Sequence, residues 1–173
     1  MKILVLLLVI FFVVANVLTE YLRRKTDNAV TEPMSDYLTG PYGRIQDYGF
    51  FALSAALLIL AVGGLQLVAW SVPLFCGSAA LVGVVETKRL MLTHAASRPW
   101  LERVHVACAG IAFAAVTFAE LYLSRGHQLL FLIPLAAVCI AALFSLFKLT
   151  QTAMLEKTYA ALIVLWLIVW VLA

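Results

Sequence analysis

The chain has 173 residues, of which 65% are hydrophobic and only 12% charged, with a formal net charge of +3. Soluble domains carry roughly a quarter charged residues, so a chain with a mean hydropathy of +1.05 has too little polar surface to cover a core in water, and lipid is its solvent. The same composition excludes a basic, aromatic-studded nucleic-acid domain, and three cysteines lying inside apolar runs without a CxxC pair exclude a disulfide framework and a thiolate metal site.

The first apolar run, Ile3 to Leu18, is broken only by Asn16. Lys2 ahead of it and Val13-Val14-Ala15 within it give it some features of a signal peptide, but the run is long for an h-region and no A-x-A site follows. It is therefore expected to stay as a membrane helix over about 3–19. A polar tract, 20–47, comes next. Within it, Gly40-Pro41-Tyr42-Gly43 suits a tight turn, proline presetting φ and glycine closing it. Residues Thr31 to Leu38 suit a short interfacial helix, and Arg44-Ile45-Gln46-Asp47 suits the first turn of the next span, where the helix dipole favours Asp47. Tyr37, Tyr42 and Tyr48 suit the headgroup level.

From Gly49 to Val85 no residue is charged, a run too long for one span of about 20 residues. It divides at Trp70-Ser71-Val72-Pro73, because proline lacks an N–H and disfavours helix in the residue before it. Two helices, about 48–70 and 73–88, follow. Val104 to Ser124 and Gln128 to Phe147 predict two more, about 103–124 and 128–148, and a last short span covers about 156–173. Uniform apolar runs satisfy each backbone bond locally and lack the alternation of barrel strands. The expected fold is all-α: a single integral membrane domain forming a polytopic, six-transmembrane-helix bundle.

Ten of the twelve lysines and arginines fall on the connections after the first, third and fifth helices, leaving only Lys2 and Arg125 for the opposite face. This asymmetry predicts those connections inside and both termini non-cytoplasmic. The first and third connections then share a face, where Asp36, Tyr37, Tyr42, Arg44, Asp47, Glu86, His94, Arg98 and His105 are candidate ligand-binding residues. Arginines in such a group give bidentate contacts to a phosphorylated headgroup, with tyrosine alongside. Lys88 and Arg89 are read instead as solvated loop charges. His105, at the membrane boundary, heads a small-residue face formed by Ala109, Ala112 and Ala115. Glu120 lies about 60° around from His105 on the same helix, and Glu120 and Gln66 are the intramembrane polar candidates of the far half. Glu120 is expected to pair with Arg125 at the interface.

His94, His105 and His127 have no metal-ligand spacing, so no metal or cofactor is expected. Neither is a reaction assigned, since no nucleophile motif is present.

Ser35-Asp36-Tyr37, Gly40-Pro41-Tyr42-Gly43 and Gly49-Phe50-Phe51-Ala52-Leu53, together with His105 followed by Ala107, Ala109 and Phe113, resemble the bacterial membrane family catalogued as domain of unknown function 998. The resemblance covers about the first two thirds of the chain. It implies a small multi-helix inner-membrane protein with a polar first loop leading into its second helix. A more distant likeness to eukaryotic multi-span families of lipid remodelling and autophagy implies membrane lipid handling. Membrane lipids are thus the expected partners, bound or processed at the headgroup level. The competing expectations are a non-catalytic partner protein, assembling with itself or another membrane protein through small-residue faces, and a haem or proton-coupled carrier using His105 and Glu120.

Overall fold

A computed structural model of the chain describes residues 1–23, 34, 38, 42–63, 71–93, 99–125, 128–146 and 152–172. Among these residues six α-helices run in chain order: α1 Lys2–Arg23, α2 Gly43–Gly63, α3 Ser71–Thr93, α4 Pro99–Leu123, α5 Gln128–Leu146 and α6 Thr152–Leu172. No strand occurs among the described residues. By length and composition α1, α2 and α4 are each apolar enough to cross a membrane.

The helix starts follow from local chemistry. Pro99 opens α4 and Pro73 falls in the first turn of α3, where no intrahelical partner for the missing N–H is lost. At the head of α2, a Cβ on Gly43 would run into the Leu38 carbonyl, so only glycine lets the incoming chain lie this close. The start of α2 at Gly43 brings Arg44, Gln46 and Asp47 into its first turns.

α1 shows how the bundle divides protein from lipid. Its buried positions, Val5, Val9, Phe12, Ala15, Thr19 and Arg23, recur every three or four residues and form one stripe. The rest of its surface is equally apolar but exposed, including Ile3, Leu7, Phe11 and Val14. A helix apolar all round with only one protein-facing stripe has its other faces matched to lipid.

Each helix packs antiparallel on the next. α1, α2, α3, α4 and α6 close a ring, with α5 packed against both α4 and α6. At one end Asp47 of α2 meets Arg89 of α3, and Glu20 of α1 approaches Lys157 of α6 at 4.0 Å. At the other end Gly63 lies against Met1, and Trp166 of α6 bonds Ser124 at the end of α4. The described basic residues Arg23, Arg44, Lys88, Arg89, Arg103 and Lys157 consequently share the first end, hereafter the basic end.

The α3–α4 seam is the tightest, and small residues are the reason. A Cβ on Gly77 would meet Val116 Cγ2 at 2.8 Å, and one on Gly83 would meet Cys108 Sγ at 2.8 Å. Ser54 of α2 and Ser78 of α3 are joined hydroxyl to hydroxyl at 2.9 Å. The cysteines, expected as packing residues, divide: Cys108 packs in this seam, whereas Cys76 and Cys139 are exposed.

Candidate functional site

At the basic end, Arg89 joins three side chains. Its Nη2 and Nε donate to Asp47 Oδ2 at 2.7 and 3.1 Å, and its Nη1 donates to Glu86 Oε1 at 2.9 Å. The guanidinium also lies 5.4 Å from the Phe51 ring centre, a favourable cation–π position. Asp47 is buried while Arg89 remains 43% exposed on its side chain. The pair is therefore only partly screened, and the carboxylate is the half that suffers when the pair is broken. Both guanidinium bonds go to one carboxylate oxygen, and Asp47 Oδ1 is buried without a partner.

Beside it, α1 and α2 carry a polar layer over an aromatic one. Asn16 Nδ2 donates to the Phe12 carbonyl at 2.8 Å, and Gln46 Nε2 donates to Asn16 Oδ1 at 2.6 Å. One turn further into the bundle, the Phe12 and Phe50 rings meet edge to face at 5.8 Å. Those two rings form part of the wall of a cleft at the centre of the helix ring. Met34, Leu53, Leu57, Leu81, Ala112, Phe113, Val116, Glu156, Ala160 and Ile163 complete the wall, with one or more residues from each of the five ring helices. Its unfilled space, open mouth included, is about 410 Å³. The surface it offers is apolar, Glu156 included, so water gains no partners inside.

Beyond the inner end of this cleft lies Glu120, two turns past Ala112 and one past Val116 on α4. It is 1% exposed and its Oε1 has no partner. The expected pairing with Arg125 is not formed. Arg125 lies over the Tyr122 ring, 4.6 Å from its centre, because Tyr122 precedes it by one turn and offers an aromatic face at the interface, whereas Glu120 points into the bundle.

His105 is buried at the α3–α4 seam rather than on the cleft. Its Nδ1 lies 3.0 Å from Thr87 Oγ1 and 3.1 Å from the Val84 carbonyl. A carbonyl only accepts, so Nδ1 carries a hydrogen. Thr87 uses its own hydrogen on the Gly83 carbonyl at 2.6 Å, leaving its oxygen to accept from the imidazole.

Of the residues singled out in the sequence, Asp47 and Glu86 are brought together, through Arg89. Arg44 is exposed and Tyr42 half-buried at the head of α2, while His105 turns to α3. Asp36, Tyr37, His94, Arg98 and Gln66 lie outside the described residues. Arg89 is a correction: it is no solvated loop charge but a helical residue, one turn past Val85 on α3, facing the head of α2. Asn16, Gln46 and Thr87 were not singled out. Asn16 carried a usable signal as the one polar residue of its apolar run. Gln46 carried another, since 46, 50, 53 and 57 fall on one helical stripe whose other members are apolar.

Chemically, this end of the molecule offers buried oxygen acceptors beside an apolar cleft, with one arginine shared between two carboxylates. Leaving a buried acceptor unpaired costs about 1–3 kcal/mol, and two such atoms sit on adjacent residues, Gln46 and Asp47. Comparison of the chain with family models, curated proteins and solved structures gives no match.

Proposed function

We propose that the protein is a six-span polytopic protein of the bacterial inner membrane, both termini non-cytoplasmic, that binds a lipid or another amphipathic molecule at the headgroup level. The apolar part of the ligand enters the central cleft, and its head stays at the basic end among Gln46, Asp47, Glu86 and Arg89. The observation that carries this reading is the apolar cleft lying directly under a polar layer, Asn16–Gln46 over Phe12–Phe50, on the end of the bundle where the basic residues gather. The resemblance to the family of domain of unknown function 998 supports the same architecture, and no cofactor is part of the proposal.

One observation favours the ligand reading over assembly through the α4 small-residue face. Part of the small-residue face of α4 is already used within the chain, where Gly77 packs on Ala112, Ala115 and Val116, and Gly83 on Cys108. Mass spectrometry of lipid co-purified with the protein tests the proposal. One lipid class enriched over the bulk membrane is the expected result, and bulk composition sinks it.

A further inference from the structure

The notable feature of the basic end is which kind of atom it leaves unused. Among the described residues, the buried side-chain atoms without a hydrogen-bond partner are Gln46 Oε1, Asp47 Oδ1 and Glu120 Oε1. The two at the basic end, on Gln46 and Asp47, are acceptors. A phosphate head brings further acceptors and would leave the Gln46 and Asp47 oxygens unpaired.

The orientation of Gln46 is fixed by its neighbours. Asn16 must present its NH₂ to the Phe12 carbonyl, which only accepts, so its oxygen turns to Gln46. Gln46 must then present its NH₂ to that oxygen, since the flipped amide would set oxygen against oxygen at 2.6 Å. Gln46 Oε1 is thereby the atom left over, on a side chain that is fully buried. Its helical stripe continues through Phe50, Leu53 and Leu57, all of which line the cleft. An acceptor thus stands one turn above the apolar chamber, with a second, Asp47 Oδ1, on the next residue.

We infer that the ligand's head is a hydrogen-bond donor, a hydroxyl or an ammonium group received by Gln46 Oε1, with its hydrocarbon in the cleft below. Gln46 discriminates the head, and Asn16 is a positioning residue that holds the Gln46 amide in the receptive orientation. The inference rests on the proposed function, which supplies the tail site.

The test uses the full chain in detergent micelles and native mass spectrometry with three added lipids: dioleoylglycerol, dioleoylphosphatidylethanolamine and dioleoylphosphatidylcholine. The first offers a hydroxyl, the second an ammonium donor, and the third no donor. Retention of one or both donor lipids about fivefold above the choline lipid is expected, the ratio given by one ordinary net hydrogen bond. Whichever of the two is preferred identifies the source of the donor. Gln46→Met should bring the ratio close to one, and Asn16→Leu should weaken it by releasing the amide. Leu57→Trp, which fills the cleft, should lower all three together. Equal retention of the three lipids by the wild type, with Leu57→Trp still lowering all, overturns the donor head and leaves the tail site standing. So does a preference that survives Gln46→Met, the result expected if water satisfies the amide. Retention untouched by Leu57→Trp removes the tail site, and the proposed function with it.

Discussion

Arg89 and Asp47 are 42 residues apart in sequence and 2.7 Å apart in space, and their contact pins the head of α2 to the tail of α3. Because Asp47 is buried and Arg89 is not, the two halves are unequal. Arg89→Met leaves a buried carboxylate unpaired and should destabilise the protein by about 1–3 kcal/mol. Asp47→Asn leaves an arginine that water and Glu86 still serve, and should cost less. Adding Asp47→Asn to Arg89→Met should recover part of the loss. Thermal unfolding of the four proteins in detergent checks this, and simple additivity of the two losses would contradict it.

Two glycines of facing helices predict opposite outcomes. A Cβ on Gly77 meets Val116 Cγ2 at 2.8 Å in the tight α3–α4 seam, whereas one on Gly110 of α4 meets nothing within 4 Å. Gly77→Val should therefore force the helices apart at a cost of about 1–3 kcal/mol. Gly110→Ala should be neutral or stabilise by up to about 1 kcal/mol, through its better helix propensity. The same unfolding measurement decides, and equal effects at both positions would argue against this seam.

For His105, the contact with the Val84 carbonyl requires a hydrogen on Nδ1. Nitrogen NMR of histidine-labelled protein should show His105 with Nδ1 protonated. Thr87→Val should shift that resonance and lower stability by about 1 kcal/mol, since it removes one buried acceptor from the imidazole. A deprotonated Nδ1 would refute the arrangement.

Much of the architecture was legible because apolar runs and charged connections are written directly in the chain. The break near Trp70-Ser71-Val72-Pro73 was visible through proline's missing donor, and α3 begins at Ser71, two residues before the expected start at 73. Pairing was not legible. Arg89 reads as one more basic residue of a connection, and only the three-dimensional turn of α3 aims it at Asp47. Gln46 and Asn16 lie 30 residues apart, and nothing local says that two amides meet. His105 illustrates the converse: its place on the small-residue face was readable, but its partners Thr87 and Val84 belong to a neighbouring helix.

The common end of Arg44 and Thr93 makes a topological prediction. Single cysteines placed at Arg44, Thr93 and Arg125, all exposed, in a background lacking Cys76, Cys108 and Cys139, should react unequally with an impermeant maleimide on spheroplasts. Arg125→Cys should label in intact cells, and Arg44→Cys and Thr93→Cys only after permeabilisation, as the distribution of lysine and arginine requires. Labelling of Arg44→Cys and Thr93→Cys from different sides would dismantle the proposed six-span arrangement.

The seam between α4 and α6 is the sparsest in the ring, and among the described residues two hydrogen bonds hold it. Thr117 Oγ1 and Tyr159 Oη are 2.8 Å apart, and Trp166 Nε1 donates to Ser124 Oγ at 2.8 Å. Thr117 to Ser124 and Tyr159 to Trp166 are each seven residues, two turns, so the bonds repeat in one register between parallel helices, about 10 Å apart along the axis. Phe113 packs edge to face on Tyr159 at 4.8 Å, and Trp166 stacks on Trp170, so both aromatic rings stay seated if their polar atoms are lost. Tyr159→Phe and Trp166→Phe should accordingly each remove one bond, worth about 0.6 kcal/mol between membrane helices. Being two turns apart, the losses should add. Trp166→Phe should cost the more, because it also leaves a void and strands the fully buried Ser124 hydroxyl. Unfolding of the single and double variants in mixed micelles measures all three values. A double variant no weaker than the worse single one would mean that α5, packed against both helices, carries the seam instead.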